Sequence, residues 1–301
     1  MFDFWEEAKA SLQTFVRVLP GVEPFGLRPA MKARLVNLIV GLTILLAAGW
    51  AGPGARGAPV GTRERATQMY RAGNFLEAAA LARRPGTAAG LTLAARATLA
   101  QGAYRSNPGE CEELFKQAEG LARRAMGMDP KNGEAVRMLV IALGYIARRT
   151  SPLSAFFQGY AGKARKLIDH AMELDPRSPW GYSLLGAWHT EIVHNAGAGL
   201  AAGLYDASAS SARDNYEKAV AGAPENPVIH FEYAKALVTL DMAKQKAKIR
   251  HLLSLAGKHA PRDAVETLIA AKARRAIIVL DGGKVEALLK LLYAGERPDG
   301  K

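Results

Sequence analysis

The chain has 301 residues, of which 49% are hydrophobic, 7% aromatic and 23% charged. Abundant alanine and few aromatic residues favour closely packed helices over a sheet. The formal net charge of +12 gives a surface that attracts anions. The basic residues are scattered singly along helical periods, so we expect no nucleic-acid partner. Cys111 is the single cysteine, which excludes an intrachain disulfide framework and a multi-cysteine metal site.

Residues 31–51 have the pattern of a Sec-type secretory signal. Basic residues follow Met31, residues 35–48 contain no charge, and small residues flank Trp50. Cleavage after Ala51 predicts a periplasmic bacterial protein. The alternative is an uncleaved segment, residues 35–52, that anchors the protein to the inner membrane.

The remaining chain divides into one large repeat domain and its flanking segments. We interpret residues 1–30 as an extension upstream of the true translation start at Met31. Residues 52–61 form a Gly/Pro-rich linker. A domain of helical repeats is predicted over residues 62–260, and capping helices with a tail over residues 261–301.

Recurring prolines mark the ends of helical pairs after the linker. They recur at intervals of 45, 46 and 48 residues and are Pro85, Pro130, Pro176 and Pro224. The residue before a proline avoids the helical region, so each proline separates two helices. Two residues after the last three prolines, Asn132, Ser178 and Asn226 are positioned to cap the next helix.

Small residues recur at fixed distances from these prolines. Pairs separated by seven residues, or two helical turns, are Ala118 with Ala125, Ala164 with Ala171, and Ala212 with Ala219. Ten residues after the prolines the side chains are small or β-branched: Ala95, Val140, Gly186 and Ala234. Each set predicts a helix face that lies close against a neighbouring helix.

This pattern resembles the tetratricopeptide repeat, with Ala212, Tyr216, Ala219 and Pro224 followed by His230, Tyr233, Ala234 and Leu237. The family's repeat is about 34 residues long, so the repeats here carry inserts between the two helices of each hairpin. The inserts are residues 103–111, 148–162 and 195–210. The predicted fold is therefore an all-α, tetratricopeptide-like α-solenoid of antiparallel helical hairpins with enlarged intra-hairpin loops.

The long inserts also resemble the regulator of microtubule dynamics family and its bacterial relatives. The similarity covers roughly residues 110–245 and rests on residues 185–189, 202–205 and 219–227. It implies lipid binding as one alternative function, because some relatives with this insert bind lipids. Another exported tetratricopeptide class is similar to accessory subunits of periplasmic transporters, which is a further alternative.

No motif predicts catalysis. His189, Glu191 and His194 are spaced i, i+2 and i+5, so they point to different sides of a helix, unlike the zinc-binding HExxH pair. Gly199 and Gly203 lie in no phosphate-loop motif. We therefore expect a non-enzymatic protein with no metal and no cofactor.

The inserts should emerge together on one edge of the solenoid, where loops commonly bind partners. We predict a groove of aromatic and apolar side chains flanked by arginines, beside a concave face that holds an extended segment or helix of the partner. The candidate partner-binding residues are Arg148, Arg149, Phe156, Phe157, Tyr160, Trp188, His189, Leu204 and Tyr205. The predicted function is a binding scaffold for a protein or peptide, with a lipid or small anionic amphiphile as the alternative ligand.

Overall fold

The structure is a computed structural model that describes residues 60–296, except for the side chains of Val60, Pro108, Pro152, Leu153 and Phe157. The predicted extension, the signal or anchor and most of the linker lie outside these residues. Among the described residues, no helix has the length and apolar character needed to cross a membrane.

The described residues form twelve helices and no strand. In chain order the helices are α1 (Val60–Ala72), α2 (Phe75–Arg83), α3 (Ala88–Tyr104), α4 (Pro108–Met128), α5 (Gly133–Arg149), α6 (Pro152–Phe157), α7 (Tyr160–Leu174), α8 (Pro179–Tyr205), α9 (Ala209–Gly222), α10 (Pro227–Lys258), α11 (Ala264–Asp281) and α12 (Val285–Leu292). Two of them are kinked, α8 at Gly197 and α10 at Asp241.

Apart from the short α6, which packs mainly on α7, each helix packs on a helix that is close to it in the chain order. This arrangement confirms the predicted α-solenoid of helical hairpins. The hairpins are α1 with α2, α3 with α4, α5 with α7, and α8 with α9. Helices of successive hairpins also pack together: α2 contacts α3, and α4 contacts α5. The core is consequently a series of apolar clusters along the array.

Capping explains where several helices begin. The Asn132 side chain accepts a hydrogen bond from the backbone N–H of Ala135, and Asn226 accepts from Val228 and Ile229. Both caps confirm the prediction from the proline-centred pattern. Ser178 makes no side-chain hydrogen bond of this kind, and α8 begins with Pro179, whose fixed φ suits the first turn.

The small residues allow close helix packing, as the repeat pattern predicts. The alanines of α4 and α9 are fully buried, namely Ala118, Ala125, Ala212 and Ala219, whereas Ala164 and Ala171 of α7 are half-buried. At Gly186 a Cβ atom would lie 2.6 Å from the Tyr216 ring and 3.1 Å from the carbonyl oxygen of Ala212. Glycine therefore sets the spacing of α8 and α9.

The inserts are largely helical rather than enlarged loops. Residues of the first insert lengthen α3 and α4, the second contains α6, and the third continues α8 as far as Tyr205. The connections that remain are residues 105–107, 150–151, 158–159 and 206–208. The third insert is rich in alanine, which favours helix over loop. The N-cap side chains of Ser151 and Ser208 fix the starts of the helices that follow two of the connections.

The C-terminal helices do more than cap the last hairpin. Helix α11 packs on α10 and also contacts α1 and α3 near the start of the array. Val265 and Leu268 of α11 pack against the apolar cluster that contains Tyr70 and Phe75. The described residues, 60–296, accordingly belong to one compact unit.

Candidate functional site

The structure brings together three of the predicted binding residues, Trp188, Leu204 and Tyr205. They line an open pocket of about 460 Å³ between α7 and the end of α8. We call it the insert pocket; its lining consists of Gly162, Arg165 and Lys166 from α7, Trp188, and residues 202–206.

A backbone kink creates this pocket. Gly197 interrupts α8 with φ 75° and ψ 158°, a conformation essentially restricted to glycine. In a straight helix, Trp188 and Tyr205 would be separated by about 25 Å along the axis. Their ring centroids are instead 6.3 Å apart, at an angle of 79°. The residues after Gly197 therefore fold back towards Trp188.

Trp188 forms the rigid base of the insert pocket. Its side chain is buried, and its indole N–H donates a hydrogen bond of 2.9 Å to the carbonyl oxygen of Ala161. The Arg165 guanidinium lies 5.3 Å from the centroid of the indole ring, within range of a cation–π interaction. These contacts hold an aromatic surface and a positive charge side by side.

Apolar and charged side chains surround the pocket at the surface. Leu204 is 63% exposed and Leu200, one turn earlier, is 61% exposed. Arg165 and Lys166 supply positive charge, while Asp206 supplies one negative charge. A ligand with an apolar group next to an anionic group matches this arrangement.

His189 faces away from solvent beside Trp188. Its ring is buried, with the centroid 5.1 Å from that of Trp188. Burial lowers the pKa of His189, and the nearby charge of Arg165 lowers it further. Within residues 60–296 no three His, Cys, Asp or Glu side chains are grouped so that they could hold a metal ion.

The two arginines do not flank the pocket together. The Arg148 side chain is 11% exposed and forms ion pairs with Glu191 at 3.0 Å and Glu296 at 2.8 Å. Arg149 is half-buried. Arg148 therefore belongs to an internal charge network rather than to an exposed basic rim.

The remaining aromatic candidates lie on or next to α6. Phe156 is 54% exposed. Tyr160 is half-buried and packs against the apolar cluster that contains Phe115. The side chain of Phe157 is among those that the structure does not describe. Neither Phe156 nor Tyr160 lines the insert pocket.

Sequence reasoning missed Arg165, Lys166 and Asp206. A signal for the first two was present, because inserts at the same place in successive hairpins lie side by side on one edge of a solenoid. The second insert ends at Gly162, three residues before Arg165 and four before Lys166. The third insert contains Tyr205 and Asp206.

A protein-family model described as regulator of microtubule dynamics protein 1-3 matches residues 64–275, which is most of the chain. The chain belongs to this family. The match extends beyond the central inserts and includes helices α2 to α10, most of α1 and most of α11. No curated protein sequence matches the chain.

Proposed function

We propose that this member of the regulator of microtubule dynamics family is a non-enzymatic, tetratricopeptide-like binding scaffold for a protein or peptide. The observation that carries the proposal is the insert pocket, where a buried tryptophan, the exposed Leu204 and basic side chains converge. Such a combination of a rigid aromatic base and a polar rim is typical of sites that anchor one side chain of a partner.

The chemistry of the pocket defines the segment that it would hold. Leu204 favours an apolar side chain, and Arg165 with Lys166 favours an acidic neighbour. The net charge of +12 increases the rate of encounter with acidic partners. The proposed partner segment therefore carries an apolar anchor next to aspartate or glutamate.

The proposed location is the periplasm. Its support is the signal pattern of residues 31–51, with residues 35–52 as a membrane anchor in the alternative. Mass spectrometry of the mature N-terminus distinguishes the two, because a cleaved protein begins after residue 51. A peptide that begins before Met31 would contradict the proposed translation start.

Site-specific cross-linking in the native host tests the scaffold proposal. A photoreactive amino acid at position 204 should capture a defined partner, whereas the same group at position 278 should not. Ile278 is the matched control because it is an apolar residue with 74% exposure on α11. If both positions captured the same set of proteins, the insert pocket would have no partner of its own.

A double variant tests which side chains recognise the partner. Leu204→Ser with Lys166→Glu should weaken binding of the captured partner by about tenfold or more. The first change removes an apolar contact, and the second replaces an attractive positive charge by a negative one. Ile278→Ser with Lys284→Glu removes similar groups elsewhere and should leave binding unchanged. Equal binding by both double variants would exclude the insert pocket as the docking site.

A lipid or small amphiphile is the alternative ligand, because exposed leucines beside basic groups also suit an acyl chain with an anionic headgroup. Solvent extraction of the purified protein followed by mass spectrometry distinguishes it from a peptide. A stoichiometric phospholipid or fatty acid that is lost in the Leu204→Ser variant would support the alternative.

A further inference from the structure

Two arginines meet on the layer that the first helices of successive hairpins form. In this layer α1 contacts α3, α3 contacts α5, and α5 contacts α8. Arg96 of α3 and Arg137 of α5, which we call the arginine pair, approach the same carboxylate oxygen, Oε1 of Glu134. A ligand that reaches this place therefore meets two guanidinium groups at once.

An aromatic ring holds each guanidinium group in position. The guanidinium carbon of Arg96 lies 4.5 Å from the centroid of the Tyr70 ring. That of Arg137 lies 4.9 Å from the centroid of the Trp180 ring. Stacking uses the flat face of a guanidinium group and leaves the N–H groups at its edge able to donate. The rings therefore orient the arginine pair without using its hydrogen-bond donors.

Glu134 uses only a small part of these donors. Arg96 Nη1 donates a hydrogen bond of 3.0 Å to Glu134, but Arg96 Nε has no hydrogen-bond partner among the described residues. Arg137 Nη2 lies 3.7 Å from the same carboxylate oxygen, which is too long for a hydrogen bond. Arg262, by contrast, donates to Glu266 from both Nε and Nη2. The arginine pair thus keeps donors that a structural ion pair would use.

The arginine pair carries one positive charge more than Glu134 neutralises. Burial lowers the pKa of Arg137, Glu134 opposes this effect, and the charge of Arg96 lowers the pKa again. Both arginines still remain charged at every physiological pH. One further carboxylate would balance the remaining positive charge. A phosphate group carries nearly two negative charges and would be repelled more strongly by Glu134.

The arginine pair is accessible from the solvent. The side chain of Arg96 is 33% exposed and that of Arg137 is 23% exposed. An incoming carboxylate can therefore reach the two guanidinium groups without the displacement of any helix. Partial burial also strengthens a hydrogen bond between charged groups, because water screens it less there than at a fully exposed site.

We propose that Arg96 and Arg137 form a binding site for a carboxylate of an acidic segment of a partner protein. The carboxylate accepts hydrogen bonds from the Nη groups of both arginines, and its charge balances the arginine pair together with that of Glu134. The site shares no residue with the insert pocket and does not depend on the function proposed there.

An anion titration followed by nuclear magnetic resonance tests the site, with acetate as the probe. Replacement of chloride by acetate at constant ionic strength should shift the Nε–H signals of Arg96 and Arg137 in the full chain along one saturable curve. The signal of Arg124, an exposed arginine on α4, should not follow that curve. Inorganic phosphate should bind the arginine pair more weakly than acetate. Equal shifts of all three arginines, or tighter binding of phosphate, overturns the proposal.

Variants distinguish a binding site from a structural ion pair. Arg137→Gln removes no hydrogen bond of the fold, so the protein should fold while its affinity for acetate falls by about tenfold or more. Arg137→Lys keeps the charge but loses the planar fork, so its affinity should fall as well. Arg124→Gln removes the same charge from an exposed surface and should leave the affinity unchanged. Equal acetate affinity in all three variants contradicts the proposed site.

Three short peptides identify the source of the carboxylate. One is capped at both ends and contains a single glutamate, and the second has a free C-terminal carboxylate as its only acid. The third is capped and has glutamine in place of the glutamate. Binding of the first or the second to the arginine pair supports a side-chain or a terminal carboxylate, respectively. If the third peptide binds equally well, the site does not recognise a carboxylate and the proposal is wrong.

Discussion

At the scale of single residues, two polar rings contact the backbone carbonyl groups of repeat prolines. His230 is 1% exposed, and its Nε2 lies 2.6 Å from the carbonyl oxygen of Pro224. In the preceding repeat, the Tyr182 hydroxyl donates to the carbonyl oxygen of Pro176 at 3.1 Å. Both residues lie six positions after their proline. The same position therefore closes the turn between helices in two repeats, a function that side-chain size alone did not indicate.

His230 should make stability depend on pH. Burial lowers its pKa, the hydrogen bond to Pro224 opposes this effect, and the neighbouring His259 and His251 lower the pKa again. As the pH falls below the ordinary histidine pKa of about 6.5, the unfolded chain binds the proton first, so stability is lost. The Tm should therefore be lower at pH 5.5 than at pH 7.5. His189, whose pKa is also lowered, adds to the same effect.

One variant isolates the contribution of His230. His230→Gln cannot titrate, so its Tm should change less between pH 7.5 and 5.5 than that of the unchanged protein. Identical pH dependence in the two proteins would show that His230 does not couple protonation to folding.

At the scale of elements, the kink in α8 decides the shape of the candidate site. The sequence places Gly197 within an alanine- and glycine-rich insert, where a flexible loop is the simplest interpretation. The structure has helix on both sides of Gly197, because the neighbouring residues favour helix and only one residue needs a positive φ. Because α8 bends at Gly197, its C-terminal end reaches Trp188. A straight helix would not.

Gly197→Ala should cost about 1–3 kcal/mol of stability, because alanine strongly disfavours φ 75° with ψ 158°. Straightening of α8 would relieve the strain but would remove Tyr205 from Trp188, so partner capture at position 204 should also fall. Gly199→Ala is the control, since nothing lies within 4 Å of its added methyl group. Denaturant unfolding measures the loss of stability, and cross-linking measures the loss of partner capture. Equal stability and equal capture in the Gly197 and Gly199 variants would contradict this account.

At the scale of the whole molecule, contacts between the ends make the array one unit. An open solenoid is stabilised by contacts between adjacent repeats, so its two ends can open separately. Here α11 contacts α1 and α3 as well as α10, and the buried Glu296 pairs with Arg148 of α5 and with Lys235 of α10. The two ends should therefore open together.

Leu268→Ala should lower the unfolding free energy by about 2 kcal/mol, because Leu268 packs against the cluster of the first hairpin. It should also speed amide hydrogen exchange in α1, nearly 200 residues earlier in the chain. Ile278→Ala on the same helix is the control, since Ile278 is 74% exposed and should change neither quantity. Unchanged exchange in α1 of the Leu268 variant would mean that the contact does not couple the ends.

The candidate site could be predicted in part. Leu204 and Tyr205 were recognisable as apolar and aromatic residues within an insert, and Trp188 lies only seven residues before that insert. The orientation of Arg148 was not recognisable. Adjacent residues of a helix point about 100° apart, so which of Arg148 and Arg149 is internal depends on what covers α5. The covering residue is Glu296, which lies 148 positions away in the sequence.

The sequence by itself determined the helices, their pairing and the positions of close packing, because these depend on local signals: prolines, Asn caps and small residues two turns apart. Only the tertiary structure decided how the inserts fold and what covers the inner helices. The course of α8 depends on a single backbone conformation at Gly197, and the place of Glu296 depends on ion pairs between distant residues. Neither leaves a periodic pattern in the sequence, so the proposed binding pocket became visible only with the folded chain.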